Sequence, residues 1–372
     1  MDYQSILNKR LNNAIEHKAV DRIPCAPLIE SYAAIFHGVP IYDFLFNEEI
    51  AFQAFHNLKQ TYPIWDIKRS IYFFHYGPIQ NIIGIMKTKM PDRNSEKENE
   101  FQYIEYEAMS REDYNIILNK GYDSYLNTAY YKMFGASPEA ISAAKKQTLE
   151  MHKKEIYQAR LNNQLFLYGA RIYFPHSYFS NLRSFQQYVR DIYQIPDIMK
   201  EAGRIAMEHC IEEALLTVKE TGVPRVMIGP PRINGPFFST SIFESLYWPD
   251  LERCALRLIE EGITPIFHLD GNWEKNLEYF TTLPKNKIII ELDGYTDIFK
   301  AKQILGNHSC ILGDVPPTLF TLGSPDQVTS YCNALLSEFK NDGGFILGSG
   351  CTVPYNSKHE NVKAFFEASS KF

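Results

Sequence analysis

The sequence is poor in the features that mark several large protein classes. No stretch approaches the run of about 18 apolar residues that a transmembrane helix needs, so no membrane span is expected. The N-terminal MDYQSILNKRLNNAIEHK is polar with a helical period and lacks the apolar core of a secretory signal. There is no CxxC pair. The six cysteines, Cys25, Cys210, Cys254, Cys310, Cys332 and Cys351, are scattered over 372 residues. That spread fits reduced thiols, mostly small buried hydrophobes, in a cytoplasmic protein rather than a disulfide framework. Excess positive charge is absent too. The net charge of −6 argues against nucleic acid or an anionic membrane surface as the main partner. Neither a GxGxxG after a strand nor a P-loop occurs, which leaves a nucleotide-binding sheet without local support. No internal repeat, low-complexity tract or linker divides the chain.

What is present is the composition of a globular protein, 45% hydrophobic and 22% charged, long enough to bury a full core. Aromatic residues reach 14%, which suits an aromatic-lined cleft or a thick apolar core equally. Short β-branched or aromatic runs alternate with helical patterns. Pro24 to Glu30, Ile64 to Arg69, Leu165 to Tyr168, Arg225 to Ile228, Thr264 to His268, Lys287 to Glu291, Ser309 to Leu312 and Gly344 to Leu347 read as strands. Several are continuous apolar runs, as strands buried on both faces of a parallel sheet are. Amphipathic segments such as Ile242 to Glu261 and Ser324 to Lys340 lie between them. The pattern predicts βαβ units and an α/β fold: a (β/α)8 TIM barrel in one domain over 1–372, with an open doubly wound sheet as competitor. From about residue 70 to 109 the alternation breaks. IYFFHYGPIQNIIGIMKTKM reads as hairpin-like and MPDRNSEKENEFQ as a solvated loop, together an insertion in the N-terminal half.

Catalytic groups in such a barrel sit at the C-terminal ends of strands. In FHLDGNW, His268 and Asp270 lie two apart and so face one side, with Gly271 allowing a sharp turn. They can ligate a metal, form an acid–base pair, or simply end the strand in a polar network. Cys351 follows a buried strand in a turn rich in glycine and serine, as a thiolate ligand, a nucleophile or inert packing. His268, Asp270 and Cys351 together would supply one N, one O and one S, an open zinc site with a free fourth position. Glu30 ends PCAPLIE as a ligand, a base, a substrate contact or a helix cap. Asp314 is expected to cap the following helix. Arg171 and Arg232 are anion contacts or structural ion pairs near strand ends. His75, His176 and Tyr178, in aromatic surroundings, read as core residues.

Several passages resemble the uroporphyrinogen decarboxylase superfamily: AVDRIPCAPLIE, FESLYWPDLERCALRLIEEGITPIFHLDGNW, IIIELDGYTDIFKAKQILG, CILGDVPPTLFTLGSPDQV and, most specifically, GGFILGSGCTVPYNSKHENVKAFFEA. The resemblance implies a (β/α)8 barrel. The decarboxylase branch carries an Arg-Gln-Ala-Gly-Arg passage whose arginines hold the tetrapyrrole carboxylates. Here that position reads APLIESYAAIFHG, without arginine. The second branch, the corrinoid-dependent methyltransferases, binds zinc through His-x-Cys on one strand and a Cys in the final glycine-rich turn. His268 matches that histidine and Cys351 the distal cysteine, while Asp270 stands where the middle cysteine would be. This likeness implies one zinc per chain on His268, Asp270 and Cys351, with Glu30 filling the fourth position before substrate arrives. It further implies methyl transfer to a thiol or similar acceptor from a corrinoid carried by a partner protein, since no Asp-x-His-x-x-Gly corrinoid motif is present. A lyase using Asp270 as acid–base group, and a barrel that binds a corrinoid or tetrapyrrole without turnover, are the alternatives.

Overall fold

The computed structural model describes residues 2–70, 77–93, 100–340 and 343–370. Among the described residues the strands, in chain order, are β1 Ile67–Lys68, β2 Lys87–Lys89, β3 Gln102–Ile104, β4 Leu165–Phe166, β5 Ala170–Tyr173, β6 Arg225–Gly229, β7 Thr264–Leu269, β8 Ile289–Leu292, β9 Cys310–Val315 and β10 Phe345–Ser349. Six of them form one parallel sheet in the order β10-β9-β8-β7-β6-β5. Helices return between successive strands, including Pro196–Thr221, Trp248–Glu260, Ile298–Leu305 and Pro325–Phe339. The fold is α/β and TIM-barrel-like.

The continuous ladder does not close into a ring. β1 pairs in parallel with β4, and β4 runs on into β5. The segment at 24–30 makes only isolated bridges, Cys25 to Leu347 and Leu28 to Arg69 and to Thr352. It thus touches both β10 and the end of β1 without forming a regular strand. Pro24 and Pro27 give the reason: neither has an N–H to donate, so a ladder through them is interrupted. The expected strand at 165–168 is also different. It ends at Phe166, and after Gly169 the chain resumes as β5. A side chain at Gly169 would stand 1.8 Å from the Val223 carbonyl oxygen, so only glycine permits this approach.

Alternation along the strands sorts two apolar layers. Met227, Ile266, Ile289, Cys310, Leu312 and Ile346 face inward and pack with Leu7, Leu11 and Ile15 of the helix Tyr3–Ile15, which seats under the N-terminal ends of the strands. Val226, Phe267, Ile290 and Ile311 face outward against the helices. With one end plugged, the reactive side chains are left to the other. Residues 77–109 hold the short helix Gly77–Gln80 and an antiparallel β2–β3 pair, Lys87 opposite Ile104. The hairpin strands therefore flank the charged stretch rather than precede it. Residues 71–76 and 94–99, including His75, lie outside the described residues. Among the described residues, no helix is long and apolar enough to cross a membrane.

Candidate metal centre at the strand ends

β7 carries Ile266 inward, and the same alternation turns His268 inward two residues later. His268 lies level with Glu291 across the β7–β8 ladder. Its Nδ1 donates to Glu291 Oε1 at 2.8 Å, which directs Nε2 toward Asp270 Oδ1, 3.2 Å away. Glu291 is fully buried. Its other oxygen accepts from the Tyr168 hydroxyl at 2.8 Å, and Arg69 Nη2 donates to Oε1. Arg69, itself fully buried, also donates to the carbonyls of Ala26 at 2.9 Å and Ser349 at 3.0 Å. One buried cation thus ties the start of the barrel, β8 and β10 together and fixes the carboxylate that orients His268. A carboxylate behind a histidine is the usual device that sets its tautomer and raises its basicity as a ligand.

Asp270 sits in a turn that needs glycine. Gly271 has φ +83°, and a side chain there would stand 2.4 Å from Asn234 Nδ2. Asn234 Nδ2 donates to the Asp270 carbonyl at 2.7 Å, Trp273 Nε1 donates to the same oxygen at 3.0 Å, and Gly271 N–H donates to Asp293 Oδ2 at 2.6 Å. Cys351 is placed by a second glycine. A side chain on Gly350 would stand 2.4 Å from the Asp293 carbonyl oxygen, so the last turn packs tightly on the end of β8.

These turns bring a His nitrogen, an Asp oxygen and the Cys351 sulfur together, all within 4.8 Å of one another. In a tetrahedral zinc site, ligand atoms stand roughly 3.3–3.8 Å apart given bonds of about 2.0–2.3 Å. The trio therefore needs only small side-chain adjustments to hold zinc, and its N/O/S donor set is one that zinc accepts. The electrostatics agree. Burial disfavours charge on His268, yet Asp270 and Cys351 outweigh it and raise its pKa well above the ordinary value. Burial likewise works against the Asp270 carboxylate, but the facing His268 and the Arg171 charge lower its pKa. A cation is favoured between these groups whichever cation is there.

The other sequence-derived residues are distributed unevenly. Glu30 is fully buried and stands outside the group of three. Arg171, on β5, pairs in register with inward-facing Met227 and lies near enough to Asp270 to act on its charge. Its guanidinium lies over the Tyr173 ring at 5.4 Å. Arg232, at φ +63° in the loop after β6, also acts on the charge of Tyr173. Asp314 does not cap a helix. Its Oδ1 accepts from the Tyr331 hydroxyl at 2.8 Å, and the helix Pro317–Thr321 begins without a side-chain cap. His176 is a core residue whose Nδ1 meets the Tyr188 hydroxyl at 3.2 Å, with burial pushing its pKa down to about 3. Tyr178 donates to the Gly84 carbonyl at 3.3 Å. Glu291, Arg69, Tyr168 and Asp293 were not singled out from the sequence, although Glu291 and Arg69 end strand-like runs just as Glu30 does.

The uroporphyrinogen decarboxylase (URO-D) family model matches residues 136–372, and the chain belongs to that family. No curated protein matches the sequence. Among solved structures, a methyltransferase from Methanosarcina mazei superposes with a TM-score of 0.68 at 17% identity, covering 98% of each chain. At that identity the likeness describes the fold.

Proposed function

We propose that the protein is a methyltransferase that moves a methyl group from a methyl-corrinoid, carried by a partner protein, to a zinc-activated thiol or similar small acceptor. The observation that carries this reading is the meeting of His268, Asp270 and Cys351, three donors that leave a tetrahedral metal one position for substrate. The URO-D family and the methyltransferase among its structural neighbours support it. His268, Asp270 and Cys351 would hold the metal. Zinc bound there would supply Lewis acidity, lowering the pKa of an acceptor thiol so that the thiolate forms at neutral pH.

The chain's own groups do the rest. Glu291 holds the His268 ring so that Nε2 faces the site. Asp270 supplies the unit charge of a thiolate through a harder oxygen, which binds zinc less tightly and leaves it more acidic. Arg171 and Arg232 would contact anionic parts of the corrinoid or acceptor. Glu30 would serve as an exchangeable fourth donor. A lyase reading is favoured by one observation, the 3.2 Å contact of His268 with Asp270, an acid–base pair that works without metal. Metal analysis separates the two. Purified protein should hold about one zinc per chain, lost in Cys351→Ala and His268→Ala. Folded protein that takes up no zinc overturns the methyltransferase reading. Cobalt-state spectroscopy with a methylated corrinoid and a thiol should then register demethylation. A corrinoid that binds and stays methylated with every acceptor supports a binding protein instead.

A further inference from the structure

Among the described residues the buried arginines are Arg10, Arg69, Arg183 and Arg225. The first three answer to carboxylates: Arg10 to Asp21 and Asp66, Arg69 to Glu291, and Arg183 to Asp191 and Glu107. Arg225 has no carboxylate partner among the described residues. It opens β6 in the inward column of Met227, two residues on, and so stands at the N-terminal end of the barrel, opposite the metal centre. Its Nε donates to the Leu167 carbonyl at 2.9 Å and its Nη2 to that of Phe166 at 3.0 Å. Nη1 donates to no protein group and is not sealed from solvent. Two carbonyl dipoles satisfy hydrogen bonds but leave the unit charge standing. Burial pulls the guanidinium pKa down to about 10, so the group stays charged at neutral pH.

This cation lines a cavity of about 410 Å³ between the helix Tyr3–Ile15, the end of the helix Pro138–Leu161, β4 and the turn that leads into β6. That volume falls within the range of sites for small molecules, about 300–1,000 Å³. No metal-centre residue lines the cavity, and no acidic one does. A second guanidinium does: Arg160, exposed near the end of its helix and without an ion pair among the described residues. Two positive charges therefore face the space with no negative one in its lining. Gln4, Asn8 and Asn12 recur every fourth residue on one helix face and bring amides to it. Gln4 Nε2 donates to the carbonyls of Arg160 at 3.4 Å and Gln164 at 3.3 Å, and Asn8 Nδ2 to the Gln4 carbonyl at 2.9 Å. Those bonds leave the Asn8 amide oxygen and the Asn12 side chain open. Ile156 and Val223 form an apolar wall. Two guanidiniums without counter-charges call for two negative charges on one group, and a phosphomonoester carries them where a carboxylate carries one. The space is roomier than inorganic phosphate needs, and its amides suit a hydroxylated body.

We propose that this cavity binds a small organic phosphomonoester, its phosphate held by Arg225 and Arg160 and its hydroxylated body by Asn8 and Asn12. The inference does not depend on the methyltransferase reading. Titration calorimetry tests it at about pH 7.5 and about 0.15 M salt, where the phosphate is largely dianionic and distant charges are screened. Ribose 5-phosphate should bind at one saturable site, ribose should give no measurable binding, and inorganic phosphate, with no body to fill the cavity, should bind more weakly than the ester. Arg160→Ala, at an exposed position, should weaken the ester at least about tenfold, the worth of a charge-assisted hydrogen bond, and Arg225→Gln should weaken it further. Arg160→Glu should abolish binding. Lys9→Glu makes the same change of charge on the helix Tyr3–Ile15 but outside this cavity, and should bind as the wild type does. Should Arg225→Gln fail to fold, the two Arg160 variants still read the site. Cys351→Ala protein should bind ribose 5-phosphate unchanged, so loss of the metal centre and loss of this pocket are told apart. Absence of saturable binding, binding of ribose or inorganic phosphate as tight as that of the ester, wild-type binding by Arg160→Glu, or an equal loss in Lys9→Glu overturns the proposal.

Discussion

His268 and Glu291 stand side by side on adjacent parallel strands, joined at 2.8 Å, with Arg69 bound behind the carboxylate. The pair couples the fold to the site. Arg69 and Glu291 are both fully buried, and removing one charge of such a pair leaves the other uncompensated, at a cost of about 3–5 kcal/mol. Glu291→Gln keeps the shape and deletes the charge. It should lose stability of that order in urea unfolding. In the fraction that remains folded, zinc affinity should fall about 10- to 100-fold by chelator competition, since the histidine loses its anionic support. A variant with wild-type affinity would show that Glu291 braces the fold and leaves the ligand untouched.

Asp270 is where this chain departs from the sulfur ligand of the methyltransferases it resembles. Replacing it by Cys, in the same turn held by Gly271 and Asn234, restores a soft donor at unchanged charge. Asp270→Cys should bind zinc at least about tenfold more tightly than the wild type, and Asp270→Ala more weakly than either. Chelator competition at fixed pH measures all three. If the cysteine variant binds no better, the position does not contact the metal.

The parts of the fold that were legible in the sequence are those whose physics is local. Runs such as TPIFH and KIIIE read as strands because both faces are buried; the first lies wholly in β7, and the second enters β8 at Ile289. His268, Asp270 and Cys351 could be chosen because strand-end position is a local property, and the structure brings them together. Long-range relations were not legible. Arg69 and Glu291 are 222 residues apart, so neither side chain announces the other. Asp314 was expected to cap the next helix because its spacing invites it, but Tyr331, 17 residues on, takes it instead. The first segment looked like a strand by composition, although Pro24 and Pro27 already carried the signal that its ladder would be broken. β5 was missed because Gly169 ends the apolar run just before it, and with β5 went the register that turns Arg171 inward.

Asp314 gives a prediction about pH. Burial raises its carboxyl from 3.8 to about 7, opposed by the Tyr331 hydroxyl. The folded state then holds a proton that the unfolded chain releases near pH 4. Its contribution is therefore fully present below the unfolded pKa and is lost as pH rises through about 7. Asp314→Asn keeps the oxygen that accepts from Tyr331 and removes the ionisation. Relative to wild type, the variant should gain about 3 kcal/mol of stability between pH 5 and pH 8, because about two of the pH units separating the unfolded and folded titrations lie in that range and each is worth roughly 1.4 kcal/mol. Urea midpoints across that range give the measurement, and parallel wild-type and variant curves would mean that Asp314 is ionised in the folded protein throughout.

Gly350 separates the placement of Cys351 from its chemistry. The residue's alpha carbon abuts the end of β8, and a methyl group there would meet the Asp293 carbonyl oxygen at 2.4 Å, where backbone cannot yield cheaply. Gly350 N–H also donates to the Val315 carbonyl at 2.9 Å, so the turn is held from β9 as well as from β8. Gly350→Ala should therefore cost about 1–3 kcal/mol, the usual range for overpacking. More tellingly, the strain is relieved most easily by lifting the turn, which carries Cys351 away from His268 and Asp270. Zinc content at sub-stoichiometric metal should then fall toward that of Cys351→Ala, although the thiol is still present. Equal zinc uptake by Gly350→Ala and wild type, at the expected loss of stability, would mean that the cysteine reaches the site without the close packing of this turn.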